Sequence, residues 1–236
     1  VRVREWYAAL EGSVESDGDI LDGTRVDFGS DLGLDDAAFT SELQAYVRFP
    51  FFGRIYAGWW WLDREGDETL SRTITFADQT LTASTRVQTE LNLDVYYLSY
   101  EYALPTIPLG ELFQLELGVL VGARAILAEA AIDSALGSGS DEGGIGLPVL
   151  GGRAALQMTK WLRADVELMG MTVSYAGRRA SYLEAFAEVV AQPFTWLYAG
   201  VGYKFAQVEV SDDSGSSDFL LDVNISGFYL TAGIRF

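Results

Sequence analysis

From Arg86 to Tyr97 the chain alternates with a period of two. Val87, Thr89, Leu91, Leu93, Val95 and Tyr97 share one parity, and Arg86, Gln88, Glu90, Asn92, Asp94 and Tyr96 the other. A strand sends successive side chains to opposite faces, so the segment predicts a sheet with one apolar and one polar surface. The pattern recurs. Phe113, Leu115, Leu117, Val119, Val121, Ala123, Ala125 and Leu127 oppose Gln114, Glu116, Gly118, Gly122 and Arg124. Leu162, Ala164, Val166 and Leu168 oppose Arg163, Asp165 and Glu167, while Leu197, Ala199, Val201, Tyr203 and Phe205 oppose Tyr198, Gly200, Gly202 and Lys204.

Gly, Pro, Asp and Ser punctuate ten strand-like segments, 3–16, 38–50, 54–65, 85–104, 111–131, 148–159, 162–175, 181–192, 195–210 and 219–236. Their connections alternate in length. Those at 50–53, 105–110, 159–161 and 192–195 are short, whereas 17–37, 64–84, 132–147 and 211–218 are long and polar. Tight turns on one side and longer loops on the other are the rhythm of a membrane barrel, with both termini on the short-turn, periplasmic side. The connection Ala176-Gly-Arg-Arg-Ala180 is external by parity yet short; unless it is a hairpin, the count falls from ten strands to eight. Leu70, Arg72, Ile74 and Phe76 alternate with small polar residues, which predicts strands that rise past the bilayer and turn near Ala77–Thr80. A short helical turn is expected near Ser30–Gly33.

Composition narrows the class. The 236 residues, 49% hydrophobic, show no linker and form one domain, 1–236. No run approaches the roughly 18 apolar residues of a spanning helix; Leu117–Ile132 is interrupted by Arg124 and Glu129. A bilayer then admits only a closed sheet. Strands of this length also exceed the soluble average of about five or six residues, and 6 Trp with 12 Tyr suit interfacial belts. Cysteine is absent, which excludes thiol chemistry, and a net charge of −18 argues against nucleic acid. No signal peptide is visible, as expected of a mature chain whose export signal has been removed.

The last segment, Gly227 to Phe236, places Phe228, Leu230, Ala232, Ile234 and Phe236 on one parity. It resembles the closing strand of bacterial outer-membrane β-barrels, where a terminal aromatic and an alternating apolar stripe are read by the barrel-insertion machinery. The resemblance implies an insertion signal of Gly227, Phe228, Leu230, Ile234 and Phe236. It also implies an all-β, antiparallel, up-and-down transmembrane barrel, integral to the outer membrane, with outer-membrane lipid, lipopolysaccharide and the insertion machinery as partners. The strand count resembles the omptin proteases. Omptins, the outer-membrane phospholipase and the lipid A deacylases and acyltransferase rely on a histidine. This chain has none, so no catalytic residue carries over and no catalytic site is expected.

Parity assigns to the lumen Glu42, Gln44, Arg48, Arg54, Gln88, Glu90, Asp94, Glu116, Arg124, Arg153, Gln157, Arg163, Asp165, Glu167 and Lys204. Both signs are present and a ten-stranded barrel is narrow, so opposite charges are expected to pair across a plugged or very narrow interior. The carboxylate pairs Asp165 with Glu167 and Glu90 with Asp94 fit such filling better than an acid/base dyad. Asp17, Asp19, Asp22, Asp27, Asp31, Asp35 and Asp36, among which Arg25 is the only base, offer oxygen ligands but lack the calcium-loop spacing. They are expected to be solvated, or to bridge lipopolysaccharide through divalent ions; no metal or cofactor site is assigned. Gly137–Gly146 lacks the ending and the helix of a phosphate loop, and Asp212–Asp218 is expected to be a flexible loop. Trp59 and Trp61 share a face just after a short turn and are expected in an interfacial belt with Trp161 and Trp196. Three functions stay open: a non-enzymatic barrel whose acidic external loops contact another protein, a surface polymer or lipopolysaccharide; a narrow channel for small cationic or hydrophobic solutes; and an anchor subunit of an envelope assembly.

Overall fold

The computed structural model describes residues 1–16, 24–34, 36–49, 53–76, 79–110, 113–135, 137–175, 178–212 and 219–235. Its strands are β1 (Arg2–Ser16), β2 (Val26–Asp27), β3 (Ala38–Phe49), β4 (Gly53–Thr69), β5 (Ile74–Phe76), β6 (Gln79–Leu81), β7 (Arg86–Ala103), β8 (Ile107–Pro108), β9 (Gln114–Ser134), β10 (Gly137–Gln157), β11 (Leu162–Tyr175), β12 (Arg178–Ala191), β13 (Leu197–Asp212) and β14 (Phe219–Ile234). The ten long ones, β1, β3, β4, β7 and β9 to β14, each pair antiparallel with their chain neighbours. β14 returns to β1 in the register Arg2↔Gly233 to Ser16↔Phe219, which closes the sheet and leaves no long edge.

The β11–β12 ladder continues to Tyr175↔Arg178, so the connection at 176–180 is a hairpin and the strand count is ten. One expected loop, 132–147, is a correction. β9 and β10 remain paired from Gln114↔Gln157 up to Ser134↔Gly137. Ladder hydrogen bonds need no side chains, and the small residues of this stretch permit rather than prevent pairing: a Cβ on Gly144 would lie 2.8 Å from Cδ2 of Leu127 on the facing strand.

The termini and the connections after β3, β10 and β12 lie at one end, the turn end; the longer hairpins rise at the other. Along β1, β7 and β13 the polarity of the two faces exchanges part-way. On β7 the inward residues are Tyr97, Ser99 and Glu101 toward the turn end but Val87, Leu91, Leu93 and Val95 toward the hairpin end. Outward on the same strand are Leu98 and Tyr102, then Glu90, Asn92 and Asp94. β1 repeats the exchange with Arg2 and Arg4 inward below Trp6, Ala8 and Leu10, and β13 with Lys204 below Ala206 and Val208. The barrel is therefore two stacked solvents' worth of protein. A lower segment is greasy outside and polar inside, as a bilayer demands; an upper segment has a dry core and a polar exterior, as water demands.

That exchange corrects the assignment of Glu90, Asp94 and Gln88 to the lumen. They lie on the outward parity of the upper segment, and Asp94 accepts a hydrogen bond from Trp59 Nε1 at 2.7 Å. The alternation from 86 to 97 is genuine, but its apolar half fills a core instead of meeting lipid. Trp59 and Trp61 face outward as expected and stack at 4.2 Å between centroids, with Tyr96 against Trp59 at 5.8 Å. They mark the upper border of the apolar belt, beside Asp63 and Asp94, and not the turn end where the sequence position placed them. Trp161, Phe194 and Trp196 supply the aromatic border at the turn end.

Candidate functional site

The lower interior is a lock of charges and tyrosine hydroxyls built from seven strands, β1, β3, β7, β9, β12, β13 and β14. At its centre Lys204 donates to Glu42 Oε2 at 2.9 Å and faces Glu184 Oε1 at 3.0 Å, with its ammonium 5.0 Å from the Trp6 ring and 5.1 Å from the Trp60 ring. The two indoles form the floor of the upper core, so one ammonium joins the polar and the dry halves. Glu42 also receives Arg4 Nη1 at 2.6 Å and the Tyr97 hydroxyl at 2.7 Å. Glu184 receives Arg124 Nη2 and the Tyr182 hydroxyl, each at 3.0 Å. Tyr229 donates to Glu188 at 3.0 Å, and Arg2 pairs with Glu188 at 3.0 Å.

A second cluster lies nearer the turn end. Arg153 bridges Asp165 and Glu101, the latter at 3.1 Å; Tyr56 donates to Glu101; Arg54 reaches Glu116 at 3.2 Å; and Arg163 grips both Asp165 oxygens at 2.6 Å. Glycines make room for this packing. A Cβ on Gly58 would lie 2.3 Å from the Tyr97 ring of the adjacent strand, and one on Gly202 2.4 Å from Tyr229. Between the clusters is a void of about 10 Å³, room for one water. Below them the lumen opens into a chamber of about 170 Å³ lined by Arg48, Glu167, Gln157 and Gln192 among others.

The hairpin end is capped. Residues 24–34 fold inward, burying Val26, Phe28, Leu32 and Leu34. They include the expected turn: Asp31 N bonds Asp27 O at 3.2 Å, Gly33 N bonds Gly29 O at 3.0 Å, and Asp27 Oδ1 accepts from Gly29 and Ser30 N. Leu70, just after β4, and Ile74 and Leu81 of the β5–β6 hairpin join the same core, and Arg72 clamps the two pieces through Asp31 at 2.6 Å. The hairpin is a separate small sheet, with its turn at residues 77–78 outside the described residues. The Arg72 guanidinium holds the Asp31 carboxyl below its ordinary 3.8. A depressed carboxylate contributes stability above its unfolded pKa and loses it as pH falls through the folded one. Amide exchange in the 24–34 segment should therefore stay slow at neutral pH and accelerate below about pH 4, while exchange in β13 stays slow; unchanged cap protection at pH 3 would contradict the clamp.

Of the residues expected in the lumen, Glu42, Arg54, Glu116, Arg124, Arg153, Arg163, Asp165 and Lys204 are joined in ion pairs, and Arg48 and Glu167 line the chamber. Sequence reasoning missed Arg2, Arg4, Glu101, Glu184 and Glu188. Parity could have found them, since each alternates with apolar outward neighbours such as Val3, Tyr102, Leu183 and Val189. Phe228, Leu230 and Ile234 face outward, Phe228 with 73% exposure, and Gly227 faces inward; Phe236 lies outside the described residues, as do Asp17, Asp19, Asp22 and Asp35. Asp27 and Asp31 serve the cap, and among the described residues no three acidic groups cluster as metal ligands would.

No protein-family model and no curated protein matches the chain. Among solved structures it is similar to the outer membrane protease OmpT from Escherichia coli, 10% identical, with a TM-score of 0.57 over 99% of this chain and 96% of that one. The fold is that of a bacterial outer-membrane β-barrel. A second similar structure, a deltaS2 mutant of the TodX monoaromatic hydrocarbon channel, is 8% identical over 100% of this chain and 90% of the other; its TM-score of 0.24 carries no argument. Against the barrel's lipid-facing belt, one polar group stands out: Glu5, exposed beside Leu230 and bonded to Ser41 Oγ at 2.9 Å.

Proposed function

We propose that this is a non-enzymatic, non-conducting outer-membrane barrel that displays its capped, acidic hairpin end on the cell exterior for contact with another protein, a surface polymer or lipopolysaccharide. The observation that carries the reading is the filled interior. A solute entering from the turn end meets the Lys204 lock, then a core of Trp6, Trp60, Leu62 and Leu93, then the cap. Opening such a path would break several buried ion pairs at once, each costing on the order of 3–5 kcal/mol. OmpT is a protease, but this chain has no histidine to serve as the base that the omptin resemblance would require. Placing the termini and short turns in the periplasm puts the longer hairpins outside.

Planar bilayers holding the purified protein should show no conductance steps; steady ohmic openings would transfer the reading to a channel. Replacing residues 71–84 with a short Gly-Ser turn should abolish binding to purified lipopolysaccharide or to intact bacterial cells while leaving the barrel folded. Unchanged binding to both, or none by the parent protein, would defeat the surface reading.

Glu5 supports a second reading, an anchor within a larger assembly. A carboxylate on the lipid face is unfavourable unless it is covered or near the interface. Glu5→Leu should leave an isolated barrel as stable as before or more so, but release companions from a complex in gentle detergent; an unchanged native mass for both forms removes this reading.

A further inference from the structure

The chamber at the turn end has a charge opposite to that of the molecule around it. Seven arginines line it against four carboxylates, in a chain whose overall charge is −18. Most of these are matched: Arg2 with Glu188, Arg54 with Glu116, and both Arg153 and Arg163 with Asp165. Two cations are not: Arg48 and Arg235 make no ion pair among the described residues. Arg4, paired with Glu42 and Glu188 and with its side chain only 3% exposed, still has Nε and Nη2 without a hydrogen-bond acceptor. Glu167 is the lining carboxylate with no ion pair among the described residues. The surplus is thus positive, partly buried, and includes orphaned guanidinium donors, which are costly to leave unsatisfied.

We propose that this chamber binds a small phosphate-class oxyanion. Guanidinium forks match the spaced oxygens of phosphate, which offers several acceptors and more than one negative charge, whereas chloride offers neither. The volume, about 170 Å³, admits a phosphate with a few waters but not a nucleotide. The site lies inside the barrel wall, so it takes its ligand from the solution at the turn end and not from the surrounding lipid. It does not depend on what the hairpin end contacts.

Calorimetric titration of the full chain in detergent with inorganic phosphate, at constant ionic strength, tests this. Saturable binding near one phosphate per chain is expected. Arg48→Gln and Arg235→Gln should each weaken it about tenfold, the effect of losing one charge-assisted hydrogen bond. Glu167→Gln should tighten it by removing the opposing charge. Arg179→Gln, an outward arginine of the hairpin end, should change nothing. No saturable heat, equal weakening by Arg179→Gln, or equal competition from chloride would each overturn the proposal. Because Arg48 and Arg235 are exposed and outside the lock, their variants keep the fold, which retained heat-modifiable mobility on gels verifies.

Discussion

Lys204→Met should destabilise the barrel by about 3–5 kcal/mol, the range expected when one partner is removed from a buried ion-pair network. The ammonium is 1% exposed and is shared by Glu42 and Glu184, two carboxylates that would otherwise face each other across the lumen with Arg4 and Arg124 as their remaining cations. Methionine fills the volume between Trp6 and Trp60 but supplies no charge, so the loss isolates electrostatics from packing. Urea unfolding in lipid vesicles, followed by tryptophan fluorescence and gel mobility, measures it. The triple variant Lys204→Met, Glu42→Gln, Glu184→Gln should not recover the loss, because Arg4 and Arg124 would then be buried without the carboxylates that pair with them. A single-variant cost below about 1 kcal/mol, the value of an exposed pair, would mean that water reaches the lock.

Closure, strand count and the outward closing stripe were legible in the sequence because each rests on a local rule: period-two alternation, turn residues, and the length a tilted strand needs to cross hydrocarbon. Val166 and Val201 face outward as their alternation with Asp165, Glu167, Gly200 and Gly202 required. What the sequence concealed was the second solvent. Alternation states that two faces differ, not which is wet, and the answer changes where a strand leaves the bilayer. Had the junction Val95-Tyr96-Tyr97-Leu98 been recognised as the point where apolar residues cross from odd to even positions, Glu90 and Asp94 would have been placed outside at once. The pairings of the lock lay further out of reach. Lys204 meets Glu42 across 162 positions of sequence, and only barrel shear and register, which no local pattern encodes, bring them together.

The neighbouring residues Asp94 and Val95 turn this distinction into an expected result of opposite sign at adjacent positions. Val95 is fully buried between Trp60 and Ile126 on the flanking strands, in the apolar core above the lock. Val95→Asp would place a carboxyl in the dry core without a partner, at a cost of about 4 kcal/mol or more; the purified variant should fail to refold into vesicles at neutral pH. Asp94→Leu removes one hydrogen bond from Trp59 and adds an apolar group beside the Trp59, Trp61 and Tyr96 stack. Its cost should stay near 1 kcal/mol, the net worth of a single hydrogen bond. If the strand instead carried one uniform membrane parity, with Asp94 in a polar lumen and Val95 against lipid, the order would invert: leucine at 94 would disrupt the lumen charges, and aspartate at 95 would meet only the graded penalty of a carboxylate on a lipid face. Refolding yield of the two variants, measured side by side, therefore reads out where the barrel leaves the membrane and becomes a water-soluble fold.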